Sequence, residues 1–475
     1  MHNLMRAKHT RMGGIPKAFI GDDSEEHRHR VDCKINECFQ ESFVSLKKAQ
    51  TTPLRVKAGT QDEWMARFPQ KKEEQLRQQW IEHRKLRKHY DSFVKKEKSV
   101  YDVESDPVVW LEAEALYVSD KLDPRGISVP SEEVRVEAGP WADALNRALY
   151  RSYMHQVYYN PGNTPLQTSE WFEWAYDQVR AKKLPWALAV QGDDSLFIYW
   201  KGGVDVVLCA DMSRYDMSIR VAHMMNVWRF LEWLNVDQPA TKALQVDQQY
   251  KRTYHTPYGK YIVEGTMASG DSVTISFNSI ILMMAFISWF EEQSDFPKFM
   301  NSIGFSVTYK ETNMSTEPLN VDFLQCRPWM TRRGCRVFGP KPGRILSRFF
   351  WIDKTYGREI QYLQELKTMV IGLWPLASHV PIINDLLLNL VELLRDVEPV
   401  GRRFDGPQEL ANWFEGSSED EHPCTISEMC DLYGLQYEDL DDLRYRCKNW
   451  NFDGPIDNNP ALTETVRRIA RVDLE

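Results

Sequence analysis

The residue types that could do chemistry gather in residues 184–218, LPWALAVQGDDSLFIYWKGGVDVVLCADMSRYDMS. The stretch breaks at Gly192-Asp193-Asp194 and again at Gly202-Gly203, so three β-rich runs read as a meander. A Gly-Gly pair signals a two-residue hairpin, because primed turns need positive φ at their centre. With the loop at 202–203, Lys201 pairs with Val204, and counting outward sets Asp194 opposite Asp211. Opposed residues hold their Cβ atoms about 4.5–5.5 Å apart. Two carboxylates that close repel each other unless a cation sits between them. A hard divalent ion, Mg²⁺ or alternatively Mn²⁺, bound by one or two carboxylates plus phosphate oxygens, meets that need.

Two further patterns follow. Asp216 comes five residues after Asp211, at the expected start of a helix. Residues 265–278, GTMASGDSVTISFN, begin as a small-residue loop that lets backbone approach a ligand closely. They continue as a helix on which Thr274 and Asn278 share one face at i and i+4. Gly-Asp-Asp alone is also ordinary turn chemistry. A second copy, Gly21-Asp22-Asp23, is followed by Glu25-Glu26-His27-Arg28; it reads as a solvated segment without function.

Composition sets the frame for these residues. With 43% hydrophobic and 27% charged residues, the chain can bury a large core, which excludes an intrinsically disordered class. The formal net charge of -9 announces no nucleic-acid partner, so any basic footprint must be local. Eight scattered cysteines give no disulfide framework and suit a reducing compartment. His27, His29, Cys33 and Cys38 match no common zinc-finger spacing, and no metal is expected there. The N-terminus is charged from Arg6 and has no apolar signal core. The apolar stretches 280–290 and 368–394 read as buried helices, so no transmembrane segment is expected.

Residues 1–60 look irregular. A helical, Lys/Arg-rich pattern covers 61–98, and mixed strand and turn signals follow to Gly139-Pro140. Helices are expected over 141–157 and, capped by Thr168 or Ser169, over 169–183. Strands dominate 184–211, helices cover 216–235 and 272–292, and strands return at 304–310 and 321–338. The C-terminal region is helical, interrupted by an acidic loop at 416–421 and restarted by Thr425 with Glu428 in capping-box position.

Together, the Gly-Asp-Asp turn, the Asp211/Asp216 pair and the Ser269-Gly270…Thr274…Asn278 pattern resemble the palm motifs of viral RNA-dependent RNA polymerases of the tombusvirus and nodavirus type. The resemblance spans about residues 91–350. In most such enzymes Gly-Asp-Asp comes last; here it comes first, an order similar to the permuted polymerases of permutotetraviruses and birnaviruses. Direct joining of the Asp193-Asp194 hairpin to the Asp211 strand keeps the carboxylates adjacent, so the permutation is physically acceptable.

The resemblance implies an α+β right-hand fold whose palm carries an antiparallel sheet. An N-terminal extension would cover 1–60, fingers 61–183, palm 184–325, and a helical thumb with the C-terminal region 326–475. It implies two magnesium ions on Asp193 and Asp211 with Asp194 in support. Asp216 and Asn278, assisted by Ser269, Gly270 and Thr274, would recognise the ribose. Lys95, Lys98 and Arg125 resemble the motif that holds the incoming triphosphate, and Lys310 the lysine proposed to protonate departing pyrophosphate. Residues 323–329 look like the primer-grip hairpin. Arg327, Arg332, Arg333 and Arg336, with Lys341, Arg344 and Arg348, would form a basic stripe for RNA phosphates. The expected partners are template and product RNA, NTPs and other viral replication proteins, in host cytoplasm, replication complexes or virions. Two other readings stand beside this one. A reverse transcriptase shares the aspartates but usually has a bulky residue where Asp216 stands, and a non-catalytic RNA-binding or capsid-associated protein would use the same turns without chemistry.

Overall fold

The computed structural model describes residues 19, 22–82, 89–94, 126–256, 259–315, 320–330, 335–349, 359–399, 426–451 and 459–474. The fold is mixed α+β with mostly antiparallel sheets. In chain order the N-terminal part contains α1 (Glu25–Lys48), α2 (Gln61–Met65), α3 (Gln70–Glu82), β1 (His89–Val94), β2 (Gly126–Pro130), α4 (Glu132–Ser152), β3 (Val157–Tyr159) and α5 (Pro165–Arg180). The middle contains β4 (Trp186–Gln191), β5 (Asp194–Lys201), β6 (Val204–Met212), α6 (Tyr215–Ser218), α7 (Val221–Trp233), α8 (Lys242–Tyr250), β7 (Arg252–Thr256), β8 (Gly259–Val263), α9 (Thr274–Glu292), α10 (Phe296–Ser302) and β9 (Val307–Asn313). The rest contains β10 (Cys326–Met330), β11 (Arg336–Pro340), α11 (Pro342–Phe349), α12 (Glu359–Ala377), α13 (Ile383–Leu393), α14 (Ile426–Tyr433), α15 (Tyr437–Asn449) and α16 (Glu464–Leu474).

The central sheet runs β3-β4-β5-β6-β9. Gly202 and Gly203 take φ of +59° and +95°, and the hairpin they close pairs Lys201 with Val204 and Asp194 with Asp211. The expected register is therefore the observed one. Both faces of this sheet are covered, which explains why its strands read as apolar runs rather than alternating patterns. One face, with Leu188, Phe197, Leu208 and Ala210, packs on α9, α1 and α7. The other, with Ala189, Leu196, Ile198 and Cys209, packs on Trp171 and Phe172 of α5 and on Phe338.

Helix α9 is buried from Ser276 through Trp289 and is apolar all round, as befits a helix at the centre of a core. It is long and apolar enough to cross a membrane, but 78% of that window is buried inside the protein. A second sheet, β2-β1-β7-β8, lies across the loop that precedes α9. Beyond residue 326, the β10-β11 hairpin and helices α11 to α16 enclose a separate core around Trp329, Leu386, Leu443 and Ile469.

Several expectations are corrected. Residues 25–48, expected to be irregular, form a 24-residue helix that buries Val31, Ile35, Phe39, Phe43 and Leu46 against the main core. Ser24 caps it, accepting from the His27 N–H at 3.2 Å, while Asp23 pairs with Arg28. The second Asp-Asp pair thus serves a helix start. The long helix expected over 61–98 is two short helices followed by a strand. Helix α4 passes through Gly139-Pro140 rather than starting after it, with Gly139 packed tightly beneath Trp64. Helix α5 starts at Pro165 with Thr164 as its cap and Gln167 completing the capping box, four residues earlier than expected. The acidic loop at 416–421 and the Thr425 cap lie outside the described residues.

Candidate active site

The site begins at the turn between β4 and β5. Gly192 adopts φ +66°, and its N–H donates to Ser279 Oγ on α9 at 3.0 Å. This bond fixes the Asp-Asp turn to the helix that carries Thr274 and Asn278. Side chains alternate along a strand, so Asp194 shares a sheet face with Leu196, and Asp211 with Cys209. The two carboxylates are therefore a directly opposed pair on one face.

Burial pushes the Asp194 carboxyl up to about 8, and the carboxylates of Asp193, Asp211 and Asp322 add to the rise. The Leu324 N–H, donating to Asp194, acts in the opposite direction. Four acidic groups thus share one field, and a divalent cation would relieve their repulsion. The donor chemistry fits magnesium, a hard ion that accepts one or two protein carboxylates and completes its shell with water and phosphate. Among the described residues no three His, Cys, Asp or Glu side chains form a ready-made metal cage.

Beside this pair lies a cavity of about 440 Å³ whose wall includes Asp193, Asp216, Asn278, Ser269, Thr274 and Asp271. Asn278 is buried, and its Nδ2 donates to Asp216 Oδ1 at 2.8 Å. That bond fixes the amide's orientation and leaves Oδ1 as a buried acceptor with no hydrogen-bond partner among the described residues. Tyr215 Oη donates to the Asn278 carbonyl at 2.9 Å, tying α6 to α9. The Thr274 hydroxyl donates to the Ala268 and Asp271 carbonyls at 2.6 and 3.0 Å and shapes the loop.

The loop itself is tied on three sides. Met267 N–H donates to the Asp216 carbonyl at 2.7 Å, Gly270 N–H to the Ser128 carbonyl at 2.9 Å, and Tyr90 Oη to Asp271 Oδ2 at 3.0 Å. Ser269 Oγ accepts from the Ser128 N–H at 3.4 Å. Gly270 is needed for this approach to β2, since a Cβ there would stand 2.6 Å from the Ser128 carbonyl oxygen.

Lys310 lies on β9 opposite Cys209, two residues from the Thr308–Asp211 pair, and so shares the face of the acidic pair. Its amine is held below the usual lysine range by burial first and by the Arg327 cation next. Lys95, Lys98, Arg125, Arg332 and Arg333 lie outside the described residues.

Three of the described basic residues of the expected stripe are met by acidic groups of the protein itself. Arg327 is 4% exposed, sits 3.3 Å from Asp473 and stacks over Tyr433. Its charge is met inside the protein, because β10 turns residue 327 toward the C-terminal core. Lys341 is likewise buried and paired with Asp322, and Arg336 faces Glu173 at 3.7 Å.

Sequence reasoning did not single out Asp322, Asp271, Ser128 or Arg214. Arg214, in the left-handed region at φ +52°, lines the cavity together with Asp193 and Asp216. Its place inside the Asp211/Asp216 pattern was the available signal. Asp322 and Ser128 belong to no motif and arrive through the tertiary fold. No protein-family model matches the chain and no curated protein matches it, which leaves the geometry of these side chains as the basis for function.

Proposed function

We propose that the chain is an RNA-dependent RNA polymerase whose palm motifs run in permuted order within a right-hand arrangement of fingers, palm and thumb. The observation that carries this reading is the opposed Asp194–Asp211 pair beside a cavity walled by Asp193, Asp216 and Asn278. A turn-based, non-catalytic role gives no reason for acidic groups to be gathered against their own repulsion next to a polar cavity.

In the reaction, the 3′-hydroxyl of an RNA strand attacks the α-phosphate of an NTP, and the bond to pyrophosphate breaks. Asp193 and Asp211 would hold the divalent ions, with Asp194 in support. When bound, magnesium supplies positive charge that favours the ionised 3′-hydroxyl and offsets charge on the phosphates. The chain's own residues then position the reactants, which accounts for most of the rate gain in phosphoryl transfer.

Asn278 Oδ1 is available to accept from the ribose 2′-hydroxyl, and Asp216 keeps its amide in that orientation. A buried acceptor left unpaired by a deoxyribose penalises dNTPs, and this favours RNA synthesis over reverse transcription. Lys310, with its lowered proton affinity, would give a proton to the leaving pyrophosphate.

Primer extension on a defined RNA template tests the proposal. It predicts template-directed ribonucleotide incorporation that needs Mg²⁺ or Mn²⁺ and exceeds dNTP incorporation. RNA binding without synthesis in either metal would sink the reading.

A further inference from the structure

Thr266 takes φ of +61°, directly after Gly265 at +67°. Glycine adopts this region freely, but a β-branched residue there is backbone held against its preference. Thr266 is buried and its hydroxyl has no hydrogen-bond partner among the described residues, so its side chain does not account for the conformation. Its main chain does. The N–H groups of Thr266 and Met267 donate to the carbonyls of Ile219 and Asp216 at 2.8 and 2.7 Å, which pins the start of the 266–272 loop to α6 and the residue after it.

The Thr266 carbonyl accepts from Arg252 Nη1 at 3.0 Å. Arg252 is 1% exposed, and among the described residues no carboxylate lies within ion-pair distance of it. A buried cation without a paired anion costs stability, so packing alone gives no reason for arginine on this strand. The guanidinium also reaches the Tyr254 hydroxyl at 3.4 Å and lies 5.1 Å from the centre of the Tyr90 ring. Tyr90 Oη donates to Asp271 Oδ2 at 3.0 Å, near the far end of the same loop. Tyr254 and Asp271 both line the cavity beside the acidic pair. One side chain therefore fastens the strained start of the loop and backs the residue that fastens its end.

We propose that Arg252 is a positioning residue that holds the 266–272 loop in the form that walls the cavity, through the Thr266 carbonyl at one end and Tyr90 at the other. The proposal rests on the polymerase reading for what the cavity binds, an NTP; the fastening of the loop does not depend on it. Methionine at 252 fills much of the same space but donates nothing, which lets Thr266 relax out of the left-handed region. Glycine at 266 needs no such restraint, so it should remove the need for the arginine.

Hydrogen exchange of the full chain without nucleotide, read by mass spectrometry on peptides covering 266–272 and on peptides from α9, tests the fastening. Arg252→Met should speed exchange in the loop about thirtyfold, the weight of a charge-assisted hydrogen bond, and leave α9 as in the wild type. Arg252→Met combined with Thr266→Gly should return the loop to within about threefold of wild type, the allowance for the added freedom of glycine. Unchanged loop exchange in Arg252→Met would overturn the proposal. So would an equal rise in α9, which marks a general loss of packing, or a double variant that exchanges as fast as the single one. Should Arg252→Met not fold, the double variant decides: wild-type loop exchange supports the proposal, and failure to fold overturns it. In primer extension Arg252→Met should raise the KM for NTP about tenfold with a smaller change in kcat, and Thr266→Gly should reverse the rise; an unchanged KM beside faster exchange would overturn the link to nucleotide binding. A wild type that makes no RNA removes the polymerase reading and leaves the exchange result to stand by itself.

Discussion

Asp194→Asn in metal-free protein gives a test whose size follows from the site. Burial and three neighbouring carboxylates raise the Asp194 carboxyl from 3.8 to about 8. The folded state therefore holds a proton that the unfolded chain releases above about pH 4. The sign follows: Asp194 contributes its full stability below about pH 4, and that contribution is lost as pH rises through about 8. At about 1.4 kcal/mol per pH unit the rise corresponds to roughly 6 kcal/mol as an upper bound. Asp194 is only half-buried and shares the titration with its neighbours, so about 2–3 kcal/mol is the working figure. Asparagine keeps the shape and cannot ionise. In EDTA, thermal unfolding at pH 5 should find wild type and Asp194→Asn close together, and at pH 9 the variant should be the more stable. Added Mg²⁺ should narrow the gap at pH 9 by stabilising the wild type. A variant that is less stable than wild type at pH 9 in EDTA would refute the clustering of charge on which the metal site depends.

Other outcomes follow from individual residues. Asn278→Ala should lower NTP-over-dNTP discrimination by about tenfold, the weight of one buried hydrogen bond, measured by competing incorporation; unchanged selectivity would remove Asn278 from ribose recognition. Gly270→Ala places a Cβ 2.4 Å from Val129 Cγ1 and should cost about 1–3 kcal/mol of stability in urea unfolding, with a matching loss of activity. Phe197→Ala, in the core between the sheet and α9, should cost about 3–5 kcal/mol in the same assay; a cost under 1 kcal/mol would contradict the packing of that face. Asp193→Ala and Asp211→Ala should abolish metal-dependent nucleotide incorporation while the unfolding temperature in Mg²⁺-free buffer does not fall.

The central hairpin was legible because the physics is local. Gly202-Gly203 dictates a primed turn, and a strand period of two then fixes every pair out to Asp194–Asp211. The shared role of Asp216 and Asn278 came from the resemblance, and the structure brings the two side chains into contact. Helix α1 was missed although Val31, Ile35, Cys38, Phe39 and Leu46 follow helical spacing, because the charge around them masks the stripe. The passage of α4 through Gly139-Pro140 could not be read locally; packing beneath Trp64 overrides the usual break.

Arg327 shows the reverse error. A run of basic residues suggested phosphate contacts, but this one is buried with its neighbours on β10 and faces Asp473, a residue 146 positions away. Asp322, whose charge adds to the field at Asp194, belongs to no motif and has no sequence signature.

The shared cation can be mapped without reference to activity by iron-mediated hydroxyl-radical cleavage. Fe²⁺ occupying the magnesium position would cut backbone close to it, so fragments should end near 192–195 and near 210–213, and excess Mg²⁺ should suppress both. Cuts confined to one of these segments, or none that Mg²⁺ suppresses, would mean that the two carboxylate-bearing segments do not share an ion.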